Sequence, residues 1–62
     1  MENQWPTKVK KLRHDLGITW LALAGRVGVR EETAQNWAKG KFRPSPMAVR
    51  KLNKLIAEAA GI

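Results

Sequence analysis

The sequence predicts an all-α domain, and three observations predict it. No segment alternates apolar and polar residues over four or more positions, which removes the main strand signal. Gly17, Gly28, Gly40 and Gly61, together with Pro6, Pro44 and Pro46, punctuate the chain into four intervals. Each interval carries apolar residues at helical spacing. Sixty-two residues leave room for one domain, expected over 1–62, and a chain this short buries only about 60% of the surface it exposes when unfolded. Cysteine is absent, so neither a disulfide nor a thiolate metal site can supplement the packing. With 44% hydrophobic residues, the composition is that of a folded domain rather than a polar disordered tail.

The first interval runs over 6–16. A proline suits a first helical turn, and Gly17 is placed to take the left-handed closing conformation. Val9, Leu12 and Leu16 form the inner stripe, while Trp5, next to Pro6, is positioned to staple the helix onto the core. Thr19 is a capping residue for the second interval, 20–27, in which Trp20, Leu23, Ala24 and Val27 share one face. The third, 31–39, follows almost at once, turns Ala34, Trp37 and Ala38 inward and stops at Gly40. Ser45 and Pro46 make a cap and first-turn pair for the fourth, 46–60. Its apolar residues Ala48, Val49, Leu52, Leu55, Ile56, Ala59 and Ala60 span an arc of roughly 140° on a helical wheel, wide for a single neighbour. A small four-helix bundle is the expected architecture.

Twelve Lys and Arg against five Asp and Glu give a net charge of +7, which makes polyanions the natural partners. Lys8, Lys10, Lys11 and Arg13 concentrate part of that charge on the first helix. The longest apolar run, Trp20 to Ala24, falls far short of the roughly 20 residues that span a bilayer, and the N-terminus lacks an apolar signal core. A soluble, cytoplasmic protein without a membrane partner is expected. His14 has no Cys or second His to complete a metal site and reads as a solvated surface histidine. The chain shows no glycine-rich phosphate loop, no carboxylate pair with a cleft to hold it, and no Ser, His and Asp set that a bundle this small would assemble. No catalysis, cofactor or small-molecule substrate is therefore expected.

Between the second and third helices, Ala24 is small enough to let them cross closely, and Gly28 accepts the angles of a tight turn without a Cβ clash. Val29 follows as an apolar residue. The segment Gly17-Ile18-Thr19-Trp20-Leu21-Ala22-Leu23-Ala24, then Gly28-Val29, Trp37-Ala38-Lys39-Gly40-Lys41 and Arg43-Pro44-Ser45-Pro46, resembles the Cro and phage-repressor class of helix-turn-helix domains. The similarity covers most of the chain.

That resemblance implies a third helix lying in the major groove, with its N-terminal and outward side chains at base edges. The helical wheel points to the same face independently: Glu32, Gln35, Asn36 and Lys39 lie opposite the inward set, with Arg30, Glu31 and Thr33 at the entry end. Asn and Gln can bond adenine twice, Glu can accept from the cytosine amino group, and Thr can touch a thymine methyl. Glu32 and Asn36 are the leading base-contacting candidates, with Gln35 and Thr33 behind them. Glu31 and Glu32 also have a purely structural reading, as first-turn acids that favour the helix dipole. Arg30, Lys39, Lys41 and Arg43 are the implied phosphate contacts. Trp20 stands where relatives usually place a phosphate-bonding Gln; its indole N–H can donate the same bond, or the ring can simply pack. Ala38 stands where relatives often have a Glu paired with the helix-one Arg, which leaves Arg13 free to face DNA or solvent.

The implied function is that of a sequence-specific, duplex-DNA-binding transcriptional regulator, a repressor-like or phage-type control protein of prokaryotic or phage origin. With no second domain for an effector, it is expected to act by occupying an operator. Useful specificity usually needs two copies and a palindromic site. Leu52, Ile56 and Ala59 are the expected homodimer surface, unless the whole stripe covers the domain's own core. Two rival readings use the same residues: a protein-interaction module of antitoxin or adaptor type, with Glu31 and Glu32 facing the partner, and an RNA or single-strand binder that stacks bases on Trp5 and Trp20.

Overall fold

Glycines end the first three helices, and side-chain caps open two of the four. The computed structural model describes residues 3–61. Four α-helices follow in order: α1 (Trp5–Leu16), α2 (Trp20–Val27), α3 (Glu31–Lys39) and α4 (Pro46–Ala60). No strand occurs among the described residues, in accord with the all-α expectation. The expected boundaries hold except at the start of α1, which begins one residue earlier, at Trp5. The Gln4 carbonyl accepts the Lys8 N–H at 3.1 Å and so opens the helix ahead of Pro6, while Asn3 Oδ1 accepts the Trp5 backbone N–H at 3.1 Å and satisfies one first-turn donor. Thr19 Oγ1 accepts from the Ala22 N–H at 3.1 Å, and Ser45 Oγ from that of Ala48 at 3.3 Å. Both are N-caps of the kind anticipated.

The turn between α2 and α3 fixes how these two helices meet. Gly28 adopts φ +87°, a conformation that costs an L residue with a β-carbon about 1 kcal/mol or more. The N–H groups of Gly28 and Val29 both bond the Ala24 carbonyl, at 2.8 and 3.0 Å, which closes the end of α2. Arg30 is then extended, with φ −76° and ψ 153°, and α3 starts at the next residue.

Every helix contributes to one core: Val9 and Leu12 from α1, Leu23, Ala24 and Val27 from α2, Ala34, Trp37 and Ala38 from α3, Ala48 and Leu52 from α4. Four of these ten are alanines, small enough to let backbones approach, while Trp37 supplies the largest apolar surface. The helix α3 packs against both α1 and α2, whereas α4 lies mainly on α1 and more lightly on α2. Trp5, Leu16, Ile18, Trp20, Val29, Leu55, Ile56 and Ala59 form a half-buried rim around this core. No helix among the described residues is long and apolar enough to cross a membrane.

Neighbouring leucines on α2 offer a direct check of this packing. Leu23 is fully buried, whereas Leu21 keeps 65% of its surface exposed. Urea denaturation should show Leu23→Ala losing about 3 kcal/mol, the cost of a cavity in a tightly packed site. Leu21→Ala should stay within about 0.5 kcal/mol of the parent.

Candidate nucleic-acid interface

Because Ala34, Trp37 and Ala38 anchor one face of α3 in the core, the remaining positions of this helix are turned towards the surface to differing depths. Glu31, Glu32 and Lys39 are exposed, while Thr33, Gln35 and Asn36 are half-buried. The wheel thus gave the direction of Gln35 and Asn36 but not their depth: both are half-buried, and Gln35 shares a recess with Lys10 of α1 and Trp20 of α2. Restricted side chains of this kind lose less rotamer freedom on forming a bond than fully exposed ones.

The phosphate candidates separate into three places. Arg30 is exposed at the N-terminal end of α3 and Lys39 at its C-terminal end, about 13 Å apart for nine residues at the α-helical rise. Trp20, at the first position of α2, borders a surface recess with Lys10, Gln35, Ala38 and Lys39. A base candidate and two phosphate candidates are therefore brought together there. Lys10 joins them from α1; its position was legible only as part of a basic run. Arg43, by contrast, lies beside the beginning of α1, in a recess shared with Asn3, Gln4, Trp5 and Lys8, and Lys41 is exposed in the α3–α4 connection. Phe42 and Met47, which sequence patterning did not single out, are 61% and 70% exposed in and just after the same connection.

Arg13 departs from expectation. It does not face solvent freely: its guanidinium carbon lies 5.1 Å from the centre of the Trp20 ring, and Nη1 donates to the Ile18 carbonyl at 3.2 Å. With Ala38 offering no carboxylate, the planar cation has stacked on the nearest aromatic face. Trp5 is covered in a similar way by Lys8, whose Nζ lies 4.9 Å from the ring centre. Both indoles are half-buried.

At the entry end of α3 the cap position is Arg30, which has no acceptor to offer and makes no side-chain cap bond. Glu31 and Glu32 sit in the uncapped first turn, where their charge favours the helix dipole. The structural role of these acids is thus supported by the local geometry. His14 is 87% exposed, and no group of three His, Cys, Asp or Glu that could hold a metal occurs among the described residues.

The dimer candidates divide. Leu52 has no exposed surface, because its side chain is enclosed in the chain's own core and cannot reach a second copy. Ile56 and Ala59 are half-buried and, with Leu12, Ala60, Lys8, Lys11 and Asp15, border a shallow apolar cleft of about 100 Å³ between α1 and α4. What the stripe can offer another chain is its outer half.

A family model described as helix-turn-helix matches residues 9–62, a span that contains every base and phosphate candidate named above. No curated protein and no solved structure matches the chain with significance.

On the rim of the cleft, Lys11 Nζ donates to Asp15 Oδ2 at 2.9 Å, one helical turn away. That hydrogen bond, opposed by desolvation and aided by the Lys11 charge and by His14, holds the Asp15 carboxyl below its ordinary range. A depressed carboxylate stabilises the fold above the unfolded value of about 3.9, and the contribution is lost as pH falls through the lower folded value. Titration of the Asp15 carboxyl carbon by NMR should give a midpoint below that of a model peptide, and Lys11→Met should return most of the difference. An unshifted midpoint in the parent protein would show that the pair does not persist in solution.

Proposed function

The chain belongs to the helix-turn-helix family of Cro and phage-repressor type, and on that premise we propose that this DNA-binding protein is a sequence-specific regulator of transcription that reads duplex DNA with α3. The observation that carries the proposal is the division of that helix. Its buried residues tie it to α1 and α2, while Glu32, Gln35 and Asn36 look outward between cations at either end.

In this reading Asn36 bonds an adenine edge, and Gln35, nearer the Trp20 recess, supports it or bonds a neighbouring base. Thr33 offers its methyl to thymine. Glu32 either accepts from a cytosine amino group or remains a first-turn acid. Arg30, Lys39, Lys41 and Arg43 take backbone phosphates on the two sides of the groove, with the Trp20 N–H as a neutral donor among them. Displacement of condensed counterions by these cations supplies the affinity, and contacts to base edges supply the choice of sequence.

One recognition helix reads few base pairs, so the proposed regulator binds as a homodimer on a palindromic operator, with half-sites about 34 Å apart on one face of the duplex. Ile56 and Ala59 furnish the contact between copies. Regulation is by occupancy, in the manner of a repressor.

Two experiments test these assignments. Asn36→Ala should cost about 1–3 kcal/mol on a duplex selected from a random pool and much less on random DNA. Lys41→Ala should weaken both alike and lower the log–log salt slope by about 0.9. Equal losses for Asn36→Ala on selected and random duplexes would mean that α3 does not read bases. Since Ile56 is only half-buried, Ile56→Glu should remain folded yet sediment as a monomer and bind a two-half-site duplex weakly. If the parent protein sediments as a monomer even on that duplex, the dimer assignment fails.

A further inference from the structure

Arg13 is held at both ends of a short loop rather than left to solvent. Its side chain leaves α1 near the end of the helix and reaches across to the start of α2, where it touches residues on both sides of the Thr19 cap: it bonds the Ile18 carbonyl and stacks on Trp20. Its Nε is buried and has no hydrogen-bond partner. An orphan donor is unfavourable, so the stacked geometry is held at a cost that a solvated arginine would avoid. The nearby carboxylate, Asp15, is engaged by Lys11 instead.

Trp20 is the residue so held, and it borders the recess with Lys10, Gln35, Ala38 and Lys39. An indole has one polar atom, an N–H that only donates. For it to serve a phosphate, the plane of the ring must be fixed in advance, since rotation about either side-chain torsion carries the donor away. A planar guanidinium on the ring face supplies that restraint, which a lysine ammonium, compact and strongly hydrated, does not.

We propose that Arg13 is a positioning residue of the DNA-contacting surface: stacked on Trp20 and tied to Ile18, it fixes the indole so that its N–H, with Lys10 and Lys39 beside it, meets one backbone phosphate of duplex DNA. The inference rests on the reading of Trp20 as a phosphate contact. Arg13 acts through the indole and does not itself bond the phosphate.

The test combines NMR with binding to selected and random duplexes, at a temperature where every variant is fully folded. The Trp20 indole N–H resonance, assigned by its loss in Trp20→Phe, should shift when duplex is added, while that of the buried Trp37 stays in place. Arg13→Lys, which keeps the charge, should weaken binding to both duplexes alike by roughly three- to tenfold, the range expected for loss of a partly desolvated cation–π contact. In a Trp20→Phe background, which retains a ring but no donor, the same substitution should have no further effect. A purely structural role would give an equal loss in both backgrounds and leave the indole resonance unmoved by DNA; either result overturns the inference while leaving duplex binding intact. Failure of the parent protein to bind any duplex would instead remove the proposed function itself.

Discussion

The burial of one face of α3 by α1 and α2 is the constraint from which the rest of the structure follows. A helix of nine residues is too short to persist alone, because isolated helices below about 12–15 residues are marginal in water. Its order is therefore tertiary in origin. Trp37 supplies the apolar area, and Ala34 and Ala38 on either side of it let the neighbouring backbones come close. The other elements answer to that requirement. The helix α2 is itself only eight residues long and is stopped by Gly28 so that α3 can begin at once; of the longer helices, α1 packs against α3, and α4 packs on α1 and more lightly on α2.

Charge imposes the opposite tendency. A net +7 on 62 residues raises the free energy of any compact state through self-repulsion. The fold disperses some of it: Lys11 is paired with Asp15, and Lys8 and Arg13 lie on indole rings. Lys51 extends its ammonium over the Gly28 turn, where a β-carbon would come within 3.3 Å of it and where the carbonyl end of α2 favours a cation. Lys10, Arg30, Lys39 and Lys41 remain exposed. A polyanion that neutralises them stabilises the folded chain by mass action as well as by contact, so folding and binding are linked through the same side chains.

Helix boundaries were legible in the sequence because their determinants are local. A glycine that must be left-handed, a Ser or Thr one residue before a helix and a proline in its first turn can each be recognised without knowing the fold. The start of α1 at Trp5 was missed for a reason of the same kind: Gln4, at the cap position, carries no capping signal, and Pro6 is the stronger mark beside it. Contacts between elements were less legible. Periodicity assigns Leu52 to the apolar face of α4 without saying which neighbour covers it, and the answer is the chain's own core. The missing carboxylate at Ala38 suggested a free Arg13, whereas the guanidinium found Trp20 on another helix, a pairing that no spacing rule encodes. The recess uniting Lys10, Trp20, Gln35 and Lys39 likewise draws on three helices at once. Family resemblance singled out α3 as the helix expected to meet DNA, and the half-burial of Gln35 and Asn36 could be learned only from the packed structure.

The division of α3 into an anchored and an outward set also bears on how such a chain can change over generations. Ala34, Trp37 and Ala38 hold the helix wherever the outward positions drift, and a substitution at the exposed Glu31 or Glu32 leaves every core contact in place. Variants can therefore explore new ligands without passing through unfolded intermediates. Such freedom is uneven, since Thr33, Gln35 and Asn36 are half-buried and admit fewer shapes than the exposed Glu32. Divergence among descendants of this chain would be expected to begin at the entry end of α3 and to reach the recess beside Trp20 last.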